Sequence, residues 1–343
     1  MKISHLFLSV LIFLVGCIDP LDVEVDVESP RLVVIAEISD LEEPYKVVLQ
    51  RTADYKTLVN DRVTGATVSV VSSQGDEYFF EEQRAGQYFS CPAEFVGEVG
   101  EQYQLRIRTT QDKLYESSIE TLLPSGEIDS AYYQKAERLV TSNTHEYNEK
   151  GIKVFCNFKD NSAKEYFMID WQGTYKFQPS MLDTKNRYCW NTEASELEIN
   201  LHDDQFSNNS LVKDYEITYL PDGLRFTEAY SFQVRLKSLT TGAYEFWSLI
   251  KQQYENDGSI FSALPAQISS NIVSLNNVEE KVLGYFTVSS VATYRIKIPH
   301  YALTGINEAQ LPCKRFSPSD PVPEYCFDCT KFENSVGEEP PFW

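Results

Sequence analysis

Positive charge is what this sequence has least of. Lysine and arginine number 30 against 51 aspartates and glutamates, for a formal net charge of -21. So acidic a chain is repelled by phosphate backbones and anionic lipid, which excludes nucleic acid as a partner and argues against lying flat on a membrane. The charge keeps an exposed body soluble. Histidine is scarce as well, with His145, His202 and His300 following the N-terminal stretch, and none sits at metalloprotease spacing. His202-Asp203-Asp204 reads as a polar turn rather than a cation site. There is no G-x-S-x-G, no phosphate-cradling glycine loop and no calcium loop. No apolar run approaches the roughly 20 residues of a membrane-spanning helix. Carboxylate pairs are abundant, and in so acidic a chain no pair singles itself out as the two acids of a glycosidase.

What is present begins at the N-terminus. Lys2 precedes an apolar run from Leu6 to Val15, broken only by Ser9, and the run ends in Leu14-Val15-Gly16-Cys17. A basic start, a run of about ten apolar residues and a small-residue site make a secretory signal peptide. A cysteine directly after that site is the lipobox pattern, so residues 1–16 are expected to be removed and Cys17 to carry diacylglyceryl and acyl lipid. Several acyl chains anchor durably, at about 0.8 kcal/mol per buried methylene. Residues 17–30 then read as a lipidated acidic tether, with Asp19, Asp22 and Glu24 its first acids. Charge keeps such a tether solvated and extended. Val23, Val25 and Val27 alternate with the acids, which also reads as a strand able to pair with a sheet edge.

Strand patterns fill residues 31–123. Leu32–Ile38, Tyr45–Gln50, Ala66–Ser72, Glu77–Glu81, Gln87–Ser90, Gln102–Thr109 and Lys113–Ser118 are separated by turn residues such as Arg84-Ala85-Gly86. About seven short strands of this kind predict an immunoglobulin- or transthyretin-like β-sandwich. Leu122-Leu123-Pro124-Ser125-Gly126 marks a domain boundary. A larger β-rich domain follows over 127–343, with strands near Ile128–Lys135, Ile152–Phe158, Glu165–Tyr175, Leu197–Asn200, Tyr215–Tyr219, Tyr230–Leu239, Lys281–Thr287 and Ala292–Ile298. Gln178–Asn191 reads as a loop. One helix is expected over 241–256, where Tyr244, Trp247, Ile250 and Tyr254 form a stripe that packs on a sheet.

Six cysteines remain after Cys17. An exported chain permits disulfides, and Cys189, Cys313, Cys326 and Cys329 are expected to form two, pinning a proline-rich tail without regular structure. Four cysteines allow three connectivities, and two intervening residues disfavour a Cys326–Cys329 bridge. Cys91 and Cys156 are open between free thiols and a cross-domain disulfide. No metal and no cofactor besides the lipid are expected.

Several stretches together carry a resemblance: Cys17-Ile-Asp-Pro20, Leu32-Val-Val-Ile-Ala-Glu37, Gly86-Gln-Tyr-Phe89, Cys189-Trp190, Glu245-Phe-Trp247, Gly258 to Ile272, Leu283 to Ser290 and Glu324-Tyr-Cys-Phe-Asp-Cys329. Their order resembles an uncharacterised family of Bacteroidetes outer-membrane lipoproteins, a domain of unknown function often encoded beside TonB-dependent receptors. The resemblance implies that Asp19, Asp22 and Glu24 act as a surface-export signal. It implies a surface-exposed, non-enzymatic accessory subunit of an outer-membrane β-barrel, acting as lid, ligand capturer or scaffold. The alternatives are an extracellular subunit of an assembly or export machine, a surface glycan or peptide hydrolase, and a polymer-binding protein using Trp190 or Trp247 as a platform.

Overall fold

The computed structural model describes residues 30–53, 61–142, 145–159, 165–179, 188–195, 198–203, 211–255, 268–299, 313 and 321–343. Cys17, Asp19, Asp22 and Glu24 lie outside them. Strand accounts for 56% and helix for 10%, so the chain is mainly β, as its aromatic and alternating pattern predicts.

The first sheet begins with β1 (Leu32–Ser39), β2 (Lys46–Arg51), β3 (Thr67–Ser72), β4 (Glu77–Arg84), β5 (Gln87–Phe89), β6 (Gln102–Arg108), β7 (Leu114–Ser117) and β8 (Glu120–Thr121). Their buried faces follow the period of two: Leu32, Val34, Ala36 and Ile38 point inward from β1, while Ile35 points out. Phe95 sits among Tyr45, Tyr78, Phe80 and Tyr103, ring against ring.

The second half supplies β9 (Glu127–Thr141), β10 (Glu146–Lys159), β11 (Tyr166–Phe177), β12 (Cys189–Ala194), β13 (Asn200–Asp203), β14 (Leu211–Pro221), β15 (Ala229–Leu239) and helix α1 (Thr241–Glu255). It then gives β16 (Ile272–Ser274), β17 (Leu283–Ser289), β18 (Val291–Pro299) and β19 (Ser335–Val336). β14-β10-β9 form a three-stranded sheet, and β18-β15-β11-β12-β19 with β13 form a six-stranded one. Ile152, Val154, Cys156 and Phe158 of β10 meet Phe167, Ile169, Phe232 and Val234 across a second core. This is a second sandwich. At Gly173 a Cβ would fall 1.8 Å from the Tyr230 hydroxyl, so glycine lets this buried ring cross β11.

Three local expectations change. Cys189–Asn191, read as loop, opens strand β12, because it pairs with Tyr175–Phe177 of β11 on one edge while Trp190 and Asn191 pair with β19 of the tail on the other. The tail is therefore not free of regular structure. His202 and Asp203 lie in β13 rather than a turn, with the His202 ring edge-on to Phe158 at 5.2 Å. The β9–β10 hairpin also runs well past Lys135, its polar arms supported by Arg138, which pairs with Glu149 at 2.7 Å and lies over Tyr219.

The first sheet does not end where its own run of strands ends. β17 pairs in parallel with β1, and β16 pairs with β7, so two strands from residues 272–289 stand at the two ends of a nine-strand path, with β8 paired to β6 beside it. The path curls until these ends meet. There the Asn271 side chain stands in for a ladder: its Nδ2 donates to the Phe286 carbonyl at 3.0 Å, and its Oδ1 accepts from the Phe286 amide at 2.9 Å. The result is a near-barrel with one seam.

Candidate functional site: the apolar groove at the seam

Two features arise where the seam, the helix and the second sandwich converge. One is a filled ionic junction. Arg235 and Lys237 lie on the face of β15 turned toward the first sandwich. Lys237 Nζ reaches Glu37 of β1 at 2.6 Å and Asp170 of β11 at 2.7 Å; Arg235 reaches Glu43 at 2.7 Å and Asp170 at 3.6 Å. Burial works against the Lys237 ammonium, but the carboxylates of Glu37 and Asp170 outweigh it and raise its pKa. The same balance, with Asp170 and Glu43 as the main partners, raises Arg235. Asp40 accepts from the Ser290 hydroxyl and the Val291 amide, adding a third tie.

Glu120 forms a second polar hub. This buried carboxylate accepts from Thr240 Oγ1 at 2.7 Å, Tyr285 Oη at 3.0 Å and Asn271 Nδ2 at 3.1 Å. Thr240 also accepts from the Ala243 amide, so the hub fixes the start of α1 against β17. Burial, and after it the nearby Glu120 charge, push the Tyr285 phenol well up.

The other feature is open. Between α1, the outer face of β1 and the splayed ends of β16 and β17 lies a groove of about 1060 Å³. Phe246, Trp247 and Ile250 of α1 form one wall, and Val33, Ile35, Val273, Leu275 and Val278 much of the rest. Ile35, Val273, Leu275 and Val278 are 49, 57, 50 and 93% exposed, so the apolar surface is contiguous and facing solvent. Arg31, Glu280 and Lys281 line it as well. Glu280 accepts from Lys113 at 3.0 Å and from the Tyr115 hydroxyl at 2.9 Å. Burial would raise its carboxyl pKa, but these two hydrogen bonds and the Lys113 charge hold it below its ordinary 4.5.

The backbone shapes this groove. Gly284 adopts φ +96, and a Cβ there would sit 1.8 Å from the Val34 carbonyl oxygen, so glycine lets β17 enter against β1 at the groove floor.

The helix stripe behaves in part as its spacing suggests. Tyr244 stacks on Tyr166 at 4.3 Å, and Trp247 and Ile250 lie against the third core cluster. Tyr254 departs from the expectation and is 63% exposed, because the helix end runs past the sheet that covers Tyr244. Phe246, off the stripe, is buried against Tyr285 at 5.0 Å, since α1 touches both sandwiches and needs two apolar faces. Trp190 offers no platform: it is 7% exposed, edge-on to Trp343 at 6.3 Å.

The four tail cysteines form two bridges, Cys189–Cys329 and Cys313–Cys326. Cys91 and Cys156 are free thiols, one exposed and one buried, and burial pushes Cys156 up to about 12. Phe342 and Trp343 dock under Arg295 and Lys297, at 3.8 and 4.8 Å to the ring centres.

Among the described residues, no group of three or more His, Cys, Asp or Glu is placed to hold a metal ion. Likewise, no described helix is long and apolar enough to cross a membrane. The groove's chemistry is that of binding: apolar walls, a few hydroxyls and charges at the rim. Sequence reading missed it because Val273, Leu275 and Val278 look like an ordinary short strand and its loop; four apolar residues within Ile272–Val278 on the way out of a core were the available signal.

Residues 18–295 match the model of a protein family described as a domain of unknown function. No curated protein matches the chain.

Proposed function

From the premise that the chain belongs to this family, the domain of unknown function DUF4249, we propose that it is a surface-exposed outer-membrane lipoprotein and a non-enzymatic accessory subunit of a β-barrel. In this reading Cys17 carries the lipid, Asp19, Asp22 and Glu24 direct export to the outer face, and the barrel is of the TonB-dependent receptor type found in Bacteroidetes. The body stands off the membrane on its acidic tether and meets the barrel from outside. Its contact surface is the groove, which takes an extended apolar segment of the partner.

One observation carries this reading: a contiguous, solvent-facing apolar groove of about 1060 Å³ lies beside a junction where Lys237 and Arg235 of the second sandwich pair with Glu37 and Glu43 of the first. Soluble monomers rarely expose such a patch without a use for it. Two disulfides agree with an oxidising compartment. Affinity purification from native membranes in gentle detergent tests the reading. A stoichiometric barrel should be recovered, and its identity separates an importer from an assembly or export machine. Recovery of the protein alone would remove the proposal.

A further inference from the structure

The barrel reading leaves the groove uncovered until a partner is met. The described chain begins at its rim: Pro30 is the first described residue, and Arg31 and Val33 line the groove. Just upstream runs Leu21-Asp22-Val23-Glu24-Val25-Asp26-Val27-Glu28, apolar and acidic in strict alternation. Extended, such a segment presents Leu21, Val23, Val25 and Val27 on one face and four carboxylates on the other.

The groove complements both faces. Ile35, Val273 and Leu275 offer an apolar floor, and Lys281 puts a cation at the rim, where Glu280, the one carboxylate among the described lining residues, is already engaged by Lys113 and Tyr115. β17 ends its sheet, so Leu283–Tyr285 shows an edge on the side away from β1, short of the Asn271 clamp at Phe286. Ser274 is buried, lines the groove, and has a hydroxyl without a hydrogen-bond partner among the described residues. Only Ser29 and Pro30 separate the segment from Arg31, and the open edge of β17 lies two strand spacings, about 10 Å, from β1, which the three links from Glu28 to Arg31 span at about 3.3 Å each.

We propose that Leu21–Glu28 docks in this groove as an extended segment, apolar face inward. The tether then sets the orientation of the body on the membrane, and a partner's segment displaces it on binding. This inference rests on the groove of the reading above and not on the barrel.

Hydrogen–deuterium exchange on the mature full-length chain carrying Cys17→Ser, which removes any lipid, tests it. Amides of 21–28 should exchange at least about tenfold more slowly than an unstructured peptide, at a protein concentration where the chain is monomeric. Val25→Asp lies outside the folded body, and it should abolish that protection while speeding exchange at Leu283–Tyr285. Lys281→Glu should reduce the protection in low salt. Exchange of 21–28 at the unstructured rate in the unaltered chain would overturn the proposal. So would protection that grows with concentration alongside dimer formation, which would assign the groove to a second copy. Either failure leaves barrel recovery from membranes unaffected, so the two readings fail separately.

Discussion

The first sandwich closes its core with hydrogen-bonded strands and no cross-link, whereas the second is stapled. Around the first core the ladder runs from β16 through β7, β6, β3, β4, β5, β2 and β1 to β17, and its last gap is bridged by the Asn271 side chain on Phe286, with Glu120 joining Asn271 to Tyr285. Around the second, the described tail contributes the two-residue strand β19, and its hold comes from Cys189–Cys329, Cys313–Cys326 and the docked Phe342 and Trp343. A chain too irregular to pair its backbone is fixed by covalent and aromatic contacts. Where the first sheet runs out of strand, the described residues add no such staple, and the gap shows as an apolar groove. The difference separates a surface that has been sealed from one that has been left available.

The comparison breaks most severely at the junction between the sandwiches. Lys237→Ala leaves the largely buried Asp170 with Arg235 alone and frees the half-exposed Glu37, and should cost about 3 kcal/mol, the low end for breaking a buried pair. Urea unfolding should show the midpoint falling accordingly, with both modules affected. Similar in size, Cys329→Ser opens a bridge spanning 140 residues and should cost about 2–5 kcal/mol. The first sandwich has no disulfide among its described strands, so reduction should loosen tryptic sites in the second sandwich before any in the first. Trp343→Ala should cost about 1 kcal/mol through its lost ring and cation contacts, read as a small fall in melting temperature.

Charge sharpens the same contrast through pH. Glu280 has a native pKa below its ordinary 4.5, so its contribution is complete above that value and is lost as pH falls through the native one. Lys237 has a native pKa above its ordinary 10.5, so its contribution is complete below 10.5 and is lost as pH rises beyond it. Stability measured against pH should therefore lose part of its acid limb in Glu280→Gln and part of its alkaline limb in Lys237→Met. The smallest stability effect is expected at Val273→Asp, within about 0.5 kcal/mol, because that side chain is already exposed.

Much of this architecture was legible in the residues. Leu32 to Ile38 alternates so regularly that β1 could be placed with its inward face, and Tyr244 to Ile250 announced the helix. Strand β12 was hidden because Cys189-Trp190-Asn191 follows a polar stretch, and the partners on its second edge, Ser335 and Val336, lie more than a hundred positions away. The parallel pairing of β17 with β1 was hidden for the same reason: nothing local in Leu283–Ser289 names a partner 250 residues back. The ionic junction could be suspected only from Arg235 and Lys237 standing as the two charged residues of an otherwise uncharged strand. The carboxylates that answer them, Glu37, Glu43 and Asp170, were lost among 51 acids. The groove depends on where three distant segments meet, and such a meeting is written in no single stretch.

Recovery of a partner from native membranes, run side by side for the unaltered chain and for Val273→Asp, bears most directly on the claim that the groove is a docking surface. The account predicts that a β-barrel accompanies the unaltered protein in stoichiometric amount and is lost with Val273→Asp, while the two proteins melt at the same temperature. Equal recovery of the barrel by both, or recovery of neither protein with any barrel, would contradict it.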